Sequence, residues 1–516
     1  MSPKPLAVAL LLFLILPLTA AAQPERSGGF KKDDAKAPKW EPPKPEEKIV
    51  TTRHRISLGG AEIPYTATAG TLLLKEEDGR PRASVFFVAY TRDGVKDLAG
   101  RPVTFTFNGG PGSSSVWLHL GAFGPRRVAM DDEGLSAPLP GRLVDNAESL
   151  LDVTDLVFID PVTTGFSREV PGEDPGEFHG VRGDIESVGE FIRLWTSRYG
   201  RWASPKFLAG ESYGTTRAAG LANYLQERHG MYFSGAALIS SILNFQTARF
   251  NAGNDLPYPL FLPTYTATAW YHKKLPPDLQ QGGLKNALAE AERFAMGEYP
   301  AALMKGSDLS DAERRDVAAR LSRLTGLSPE YLLEVQLRPV IYDVVKELLR
   351  GEGQRVGRLD SRFRGIDRGG DDEDFDLDPS YAAIQGVYTA ALNHYVRQDL
   401  EFQSDLPYEI LTDRVRPWSY APLSNQYLNV AEDLGQAMAR NPALQVFVGC
   451  GYYDLATPYF AAEYTFDNLG FDPGYAARVT KGYYEAGHMM YIRKTDREKL
   501  KADLTAFIRK AAAGHS

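Results

Sequence analysis

Five residues, Gly210-Glu211-Ser212-Tyr213-Gly214, set a serine between glycines. An apolar run at 207–209 precedes them, and a helical pattern opens at Thr215. Between a strand and a helix, G-x-S-x-G is a nucleophile elbow. The turn is so tight that only very small residues fit beside the serine. Its oxygen is then held above a sheet edge, near a helix N-terminus. The chemistry this offers is acyl transfer, with Ser212 as nucleophile.

A serine nucleophile needs a base. His54, His119 and His179 precede the serine, His229 ends the helix after it, and His515 lies in the terminal tail. In the chain order Ser, acid, His, that leaves His272, His394 and His488. His272 and His394 fall in an interval that breaks the strand–helix rhythm. His488, in Glu485-Ala486-Gly487-His488-Met489 after a β-like run at 478–484, is the expected base. The acid should follow a strand and precede His488. Asp454, after the apolar run 444–448 and the turn Gly449-Cys450-Gly451, meets both conditions. It would orient His488 and stabilise the imidazolium formed during acyl transfer. Asp467 and Asp472 are the alternatives and read as surface turn residues.

A second glycine-rich segment, Asn108-Gly109-Gly110-Pro111-Gly112-Ser113-Ser114, directly follows the run at 103–107. Its glycines let backbone approach a ligand closely. From that place the N–H of Gly110 can point at an oxyanion, with the N–H of Tyr213 as the second donor. Phosphate binding is the competing reading. The segment lacks G-x-x-x-x-G-K-[S/T] and any nearby lysine.

These motifs need a sheet to carry them. Alternating runs at 53–65, 69–75 and 83–91 predict antiparallel strands at a sheet edge. Short continuous apolar runs at 103–107, 156–159, 207–209, 236–240 and 444–448 alternate with helices. They predict a mostly parallel sheet covered on both faces. Val188, Ile192, Trp195 and Tyr199 share one helix face, as do Ala218, Leu221, Ala222 and Leu225. Residues 246–425 read as mainly helical. Ser310-x-x-Glu313 is a capping box there, and Ser328-Pro329 opens another helix. This interval is expected to be a helical cap inserted into a catalytic domain formed by 49–245 and 426–516.

Composition narrows the classes further. The 516 residues are 43% hydrophobic and 24% charged, which is ordinary for a globular chain. A net charge of −8 without a basic block excludes a nucleic-acid partner. The single cysteine, Cys450, forbids an intramolecular disulfide and any Cys-based metal site, and reads as a small buried hydrophobe. There is no H-E-x-x-H, and no metal or cofactor is expected. The acidic run Asp371-Asp372-Glu373-Asp374-Phe375-Asp376-Leu377-Asp378 is not an EF-hand, with Leu377 where Gly is needed and Ala383 where Glu is needed. It reads as a solvated loop. Tyr258, Phe261, Tyr265, Trp270 and Tyr271 read as packing.

At the N-terminus, Lys4, the apolar run 6–16 and Ala20-Ala21-Ala22 predict a signal peptide over 1–22, cleaved near Ala22. The run is shorter than the ~20 residues that span a bilayer, so no stable membrane anchor is expected. Export without disulfides fits a periplasm or the medium. Residues 23–48 read as a disordered leader.

Taken in order, 108–115, Asp160-Pro161-x-x-x-Gly165-Phe166-Ser167, Gly210-Glu211-Ser212-Tyr213-Gly214, 451–458 and Ala486-Gly487-His488 resemble the serine carboxypeptidase family. The resemblance covers roughly 100–245 and 440–495. It implies an α/β-hydrolase fold and removal of residues from peptide C-termini through an acyl-enzyme. It implies Ser212, Asp454 and His488 as the triad, and Gly110 and Tyr213 as oxyanion donors. It also implies that Asn108 and Glu211 hydrogen-bond the terminal carboxylate of a peptide substrate, with Gly109 lining that site. A carboxyl helps a carboxylate only when one of them holds a proton. Peptidase activity should therefore favour acidic pH, and esters and amides should not. The chain departs from the family at Ser113, where Cys is usual. It departs again in Gly121-Ala122-Phe123-Gly124-Pro125, which holds no acid where members commonly carry a second carboxylate. Two other readings stand beside this one. The same machinery can serve an esterase or acyltransferase, and a hydrolase scaffold can serve as a non-catalytic binding protein.

Overall fold

Three long strands open the sheet: β1 (Ile49–Leu58), β2 (Ala61–Lys75) and β3 (Pro81–Arg92). Only Gly59-Gly60 separate the first two. Both have positive φ, 58° and 82°, as a two-residue hairpin loop requires. The expected single run at 53–65 is therefore two strands. Apolar alternation continues across the turn, and only the paired glycines mark it. The structure, a computed structural model, describes residues 44–516 except 368–377, 424, 470–472 and 514–516. The expected signal peptide, the leader up to residue 43, the acidic run at 371–377, Asp472 and His515 lie outside the described residues.

The next strands are short and buried along their whole length. They are β4 (Val103–Phe107), β5 (Asp155–Ile159), β6 (Lys206–Glu211) and β7 (Gly235–Ile239). β8 (Gln445–Gly451) is buried beyond its first residue, and β9 (Val479–Tyr484) is a half-exposed edge. The order across the sheet is β1-β2-β3-β5-β4-β6-β7-β8-β9. Pairing is antiparallel from β1 to β5 and parallel from β5 to β9. Parallel strands buried on both faces need apolar residues at every position, which is why their sequences do not alternate.

Successive side chains leave a strand on opposite faces, and each face has its own helices. Phe87, Phe105, Val157 and Leu208 pack under α1 (Val181–Arg198) and α2 (Tyr213–His229), against Ile192, Trp195, Leu221 and Leu225. Phe86, Phe158, Phe207 and Phe447 face the other way, into a second cluster containing Leu500, Leu504 and Phe507 of a C-terminal helix (Lys494–Ala513). Each such buried side chain contributes about 1.5–3 kcal/mol.

Between β7 and β8 the chain is mainly helical, including α3 (Pro257–Tyr271) and α4 (Pro379–Gln398). Ser310 accepts from the Glu313 N–H while Glu313 accepts from the Ser310 N–H, and Ser328 caps the helix that Pro329 opens. Tyr258, Phe261 and Tyr265 are core residues of α3. The stretch also holds a small hairpin, Gln354–Val356 with Arg364–Ile366, at three residues a side too short for periodicity to reveal. Among the described residues, no helix is long and apolar enough to cross a membrane. No group of three or more His, Cys, Asp and Glu side chains among them could hold a metal ion.

Candidate active site

Because β6, β8 and β9 run parallel, the residues that follow them gather at one edge of the sheet. That edge is where open α/β sheets place their sites. Ser212 follows β6, Asp454 follows β8 and His488 follows β9.

Ser212 takes φ 59° and ψ −130°, a backbone conformation that costs a non-glycine residue of order 1–3 kcal/mol. Hydrogen bonds hold it there. Its N–H donates to the Ile239 carbonyl at 3.0 Å, and its carbonyl accepts from the N–H and hydroxyl of Thr215 at 2.8 and 2.7 Å. A Cβ on Gly214 would lie 2.8 Å from the Phe107 carbonyl oxygen, so the elbow has no room for a side chain there. The loop after β4 lies directly on this elbow. A Cβ on Gly109 would sit 2.8 Å from both the Glu211 oxygen and the Gly214 nitrogen. Gly110, at φ 101°, is the exposed residue of that loop. Tyr213 is the first residue of α2, so its N–H has no partner within the helix. The two expected oxyanion donors thus come from segments in contact.

Asp454 is fully buried, and His488 nearly so. Asp454 Oδ2 lies 2.7 Å from His488 Nδ1 and accepts from the Thr457 hydroxyl at 2.8 Å. Asp454 Oδ1 accepts from the N–H groups of Ala456 and Thr457 at 2.8 and 3.0 Å. Burial pulls the His488 pKa down, but the charge and hydrogen bond of Asp454, helped by Glu211, outweigh it and leave it above the ordinary imidazole value. The hydroxyl of Ser240, at the end of β7, donates to the His488 carbonyl at 2.7 Å. Among the described residues, Ser212 Oγ and His488 do not hydrogen-bond each other, a bond that commonly tightens only when substrate arrives. Asp467 is an exposed partner of Lys481.

A strap from the insertion holds both loops of this relay. The N–H of His488 donates to the Leu359 carbonyl at 2.7 Å, and that of Gly487 to Asp360 Oδ2 at 3.1 Å. The N–H of Leu455 donates to the Arg358 carbonyl at 3.1 Å, and that of Ser361 to the Tyr453 carbonyl at 2.9 Å. Asp360 is locked by the buried guanidinium of Arg362 at 2.7 Å. His272 of the sequence shortlist serves this strap, with Nε2 2.6 Å from the Ser361 carbonyl oxygen. His394 lies exposed on α4.

Glu211 is a buried carboxyl. Asn108 Nδ2 donates to its Oε1 at 2.9 Å, and the Tyr491 hydroxyl donates to its Oε2 at 2.6 Å. Burial pushes its pKa up to about 7, with the Asp454 charge adding to the rise. His488 and the Tyr491 and Asn108 hydrogen bonds oppose it. Asn108 Oδ1 accepts from the Leu118 N–H at 3.1 Å, so both ends of the amide are engaged. The Asn108 carbonyl accepts from Arg217 at 2.6 Å, and Arg217 Nε holds Asp184 at 2.8 Å. Asp160 anchors the far end of the loop, accepting from the Ser115 N–H and hydroxyl at 2.9 and 2.8 Å.

The family model described as Serine carboxypeptidase matches residues 64–274, the span holding the glycine-rich loop and the elbow. Over that span the chain is similar to the serine carboxypeptidase family. Pheromone-processing carboxypeptidase KEX1 of Saccharomyces cerevisiae is 32% identical over 186 residues, 33% of this chain and 24% of the relative. Serine carboxypeptidase-like 11 of Arabidopsis thaliana is 28% identical over 155 residues, 29% of this chain and 33% of the relative. The matched stretches thus span a quarter to a third of these curated relatives. The crystal structure of the yeast KEX1 prohormone-processing carboxypeptidase covers 86% of this chain and 91% of its own, with a TM-score of 0.51 and 18% identity. That likeness shows the α/β-hydrolase fold well beyond residues 64–274, on both sides of the helical insertion.

Tyr491, Arg217 and the strap at 358–361 were not among the residues singled out in the sequence. Tyr491 lies three residues after His488, and that proximity was the one local signal available. Arg217 and the strap have none.

Proposed function

We propose that the protein is a serine carboxypeptidase that removes C-terminal residues from peptides through an acyl-enzyme. The observation that carries this reading is the buried carboxyl of Glu211 beside the elbow of Ser212, bonded to Asn108 and close to the Asp454–His488 pair. Ser212 Oγ attacks the scissile carbonyl, and its proton passes to His488 Nε2. The N–H groups of Gly110 and Tyr213 receive the oxyanion, aided by the positive end of α2. Collapse breaks the C–N bond, and His488 gives its proton to the leaving amine. Water then repeats the sequence to free the acid. Protonated Glu211 and the second Nδ2–H of Asn108 bind the terminal carboxylate of the leaving residue. No metal or cofactor takes part in these steps.

The test uses three substrates from pH 4 to 8: an amino-blocked dipeptide, its C-terminal amide and its methyl ester. Release of a free amino acid, absent in Ser212→Ala, supports the carboxypeptidase reading. Labelling of Ser212 by an organophosphonate separates an enzyme from a binding protein on the same scaffold. One observation favours an esterase or acyltransferase as the second reading: both Glu211 oxygens and both ends of Asn108 are already engaged. Hydrolysis of the ester alone would select it.

We further propose export to a periplasm or the medium after cleavage near Ala22, supported by the apolar run at 6–16 and the Ala20-Ala21-Ala22 site. N-terminal sequencing of the mature protein tests this.

A further inference from the structure

We propose that Tyr491 is the positioning residue of the carboxylate site, its hydrogen bond holding Glu211 and limiting the pH range over which that single carboxyl recognises a peptide's terminal carboxylate. The proposal rests on the carboxypeptidase reading and names what tunes its specificity.

Glu211 is enclosed at the end of β6 and forms no ion pair among the described residues. A lone buried carboxyl needs donors for both oxygens. Asn108 supplies one, and the Tyr491 hydroxyl, at 2.6 Å, the other. The wall around Tyr491 is built to admit it. A Cβ on Gly121 would lie 2.5 Å from the Tyr491 ring and 2.8 Å from the Tyr388 hydroxyl, so the glycine leaves room for two aromatic side chains. Tyr388 comes from α4, and its ring packs on Trp117. The segment that contains Gly121 carries no acid.

A hydroxyl in this place differs from a carboxylic acid in one respect. Burial raises the Tyr491 pKa well above the ordinary phenol value, so the group stays neutral and donates throughout the working range. It adds no titrating proton of its own. The groups facing Glu211 are His488 and Asp454 from the two relay loops, Asn108 from the loop after β4, and Tyr491 beside Tyr388. Arg127 and Arg497 act on Tyr388 from beyond it. Tyr491 stabilises the charged form of Glu211 and thereby limits the pH range over which Glu211 holds the proton that a substrate carboxylate needs.

The experiment is Tyr491→Phe, with kcat/KM measured from pH 5 to 9 on the blocked dipeptide and on its C-terminal amide. Losing a donor to the charged form raises the Glu211 pKa. The falling limb for the free-carboxylate peptide should therefore move to higher pH by about one unit, carried by KM. Normalised to pH 5, the variant should gain about fivefold over the parent at pH 8. A limb that stays in place while activity falls uniformly would show that Tyr491 only packs. An equal shift with the amide would show that it acts through His488. If Tyr491→Phe does not fold, Glu211→Gln decides: the peptide-specific limb should vanish, and its persistence would overturn the proposal. In a folded Glu211→Gln background, Tyr491→Phe should move nothing, and a remaining shift overturns the proposal. A parent that cleaves the ester but releases no free amino acid at any pH would sink the carboxypeptidase reading before any variant is compared, and this proposal with it.

Discussion

Asp454 Oδ2 stands 2.7 Å from His488 Nδ1, with three further donors from Ala456 and Thr457 fixing the carboxylate in place. An acid held this way sets the tautomer and the angle of the imidazole. Asp454→Asn keeps the volume and removes the charge. It should lower kcat on the methyl ester by on the order of 10⁴ while the protein stays folded by circular dichroism. A loss of tenfold or less would mean that His488 is not oriented by Asp454.

Two titrations should separate peptide from ester. As the proposed base, His488 must be neutral to accept the serine proton, and its pKa lies above the ordinary imidazole value, so every substrate should lose rate as pH falls through that range. Under the proposed reading Glu211 must hold a proton to receive a carboxylate, and burial raises its pKa to about 7. Only the free-carboxylate peptide should therefore lose kcat/KM as pH rises above neutrality. A bell for the peptide and a single acid limb for the ester is the expected pair of curves. The two groups are neighbours, so the limits of the bell belong to the pair. A peptide curve that is flat or rising through pH 8 would exclude the Glu211 role.

The elbow, the glycine-rich loop and the Asp454–His488 pair were legible in the sequence because each signature is short. Small residues at fixed offsets answer a local steric demand, and the apolar runs before them mark the strands. What could not be read is what lies far along the chain. The Tyr491–Glu211 bond spans 280 residues, and the bond from Arg217 to the Asn108 carbonyl spans 109. The Gly487–Asp360 bond spans 127 and depends on a hairpin only three residues wide. The edge strands were found, but their first turn was missed. β-alternation survives a two-residue hairpin, so periodicity alone runs across it.

Arg217 and Asp184 form an ion pair with side chains only 1% and 2% exposed, joining α2 to α1 beneath the Asn108 carbonyl. Removing one partner of such a pair strands a buried charge. Asp184→Asn should destabilise the fold by about 3–5 kcal/mol in urea. The double change Asp184→Leu with Arg217→Met should cost less than the single one, because it leaves no orphan charge. Equal or greater loss in the double variant would mean that the pair itself stabilises.

Gly109 is a glycine because backbone occupies the place of its side chain. Gly109→Ala should push the loop off the elbow and move the Gly110 N–H away from the developing oxyanion. A fall of about 10² in kcat on the ester, with KM little changed, is expected. A variant with full activity would place the second donor elsewhere.

The strap has a consequence for how the molecule opens. Amides of Leu455, Gly487 and His488 point into carbonyls or a carboxylate of 358–360, and Ser361 returns the favour to Tyr453. Insertion and relay are therefore one cooperative unit for local opening. Deuterium should enter these four amides together, at a rate set by separation of the insertion from the sheet. A ligand that wedges the two apart would silence the serine without ever touching it.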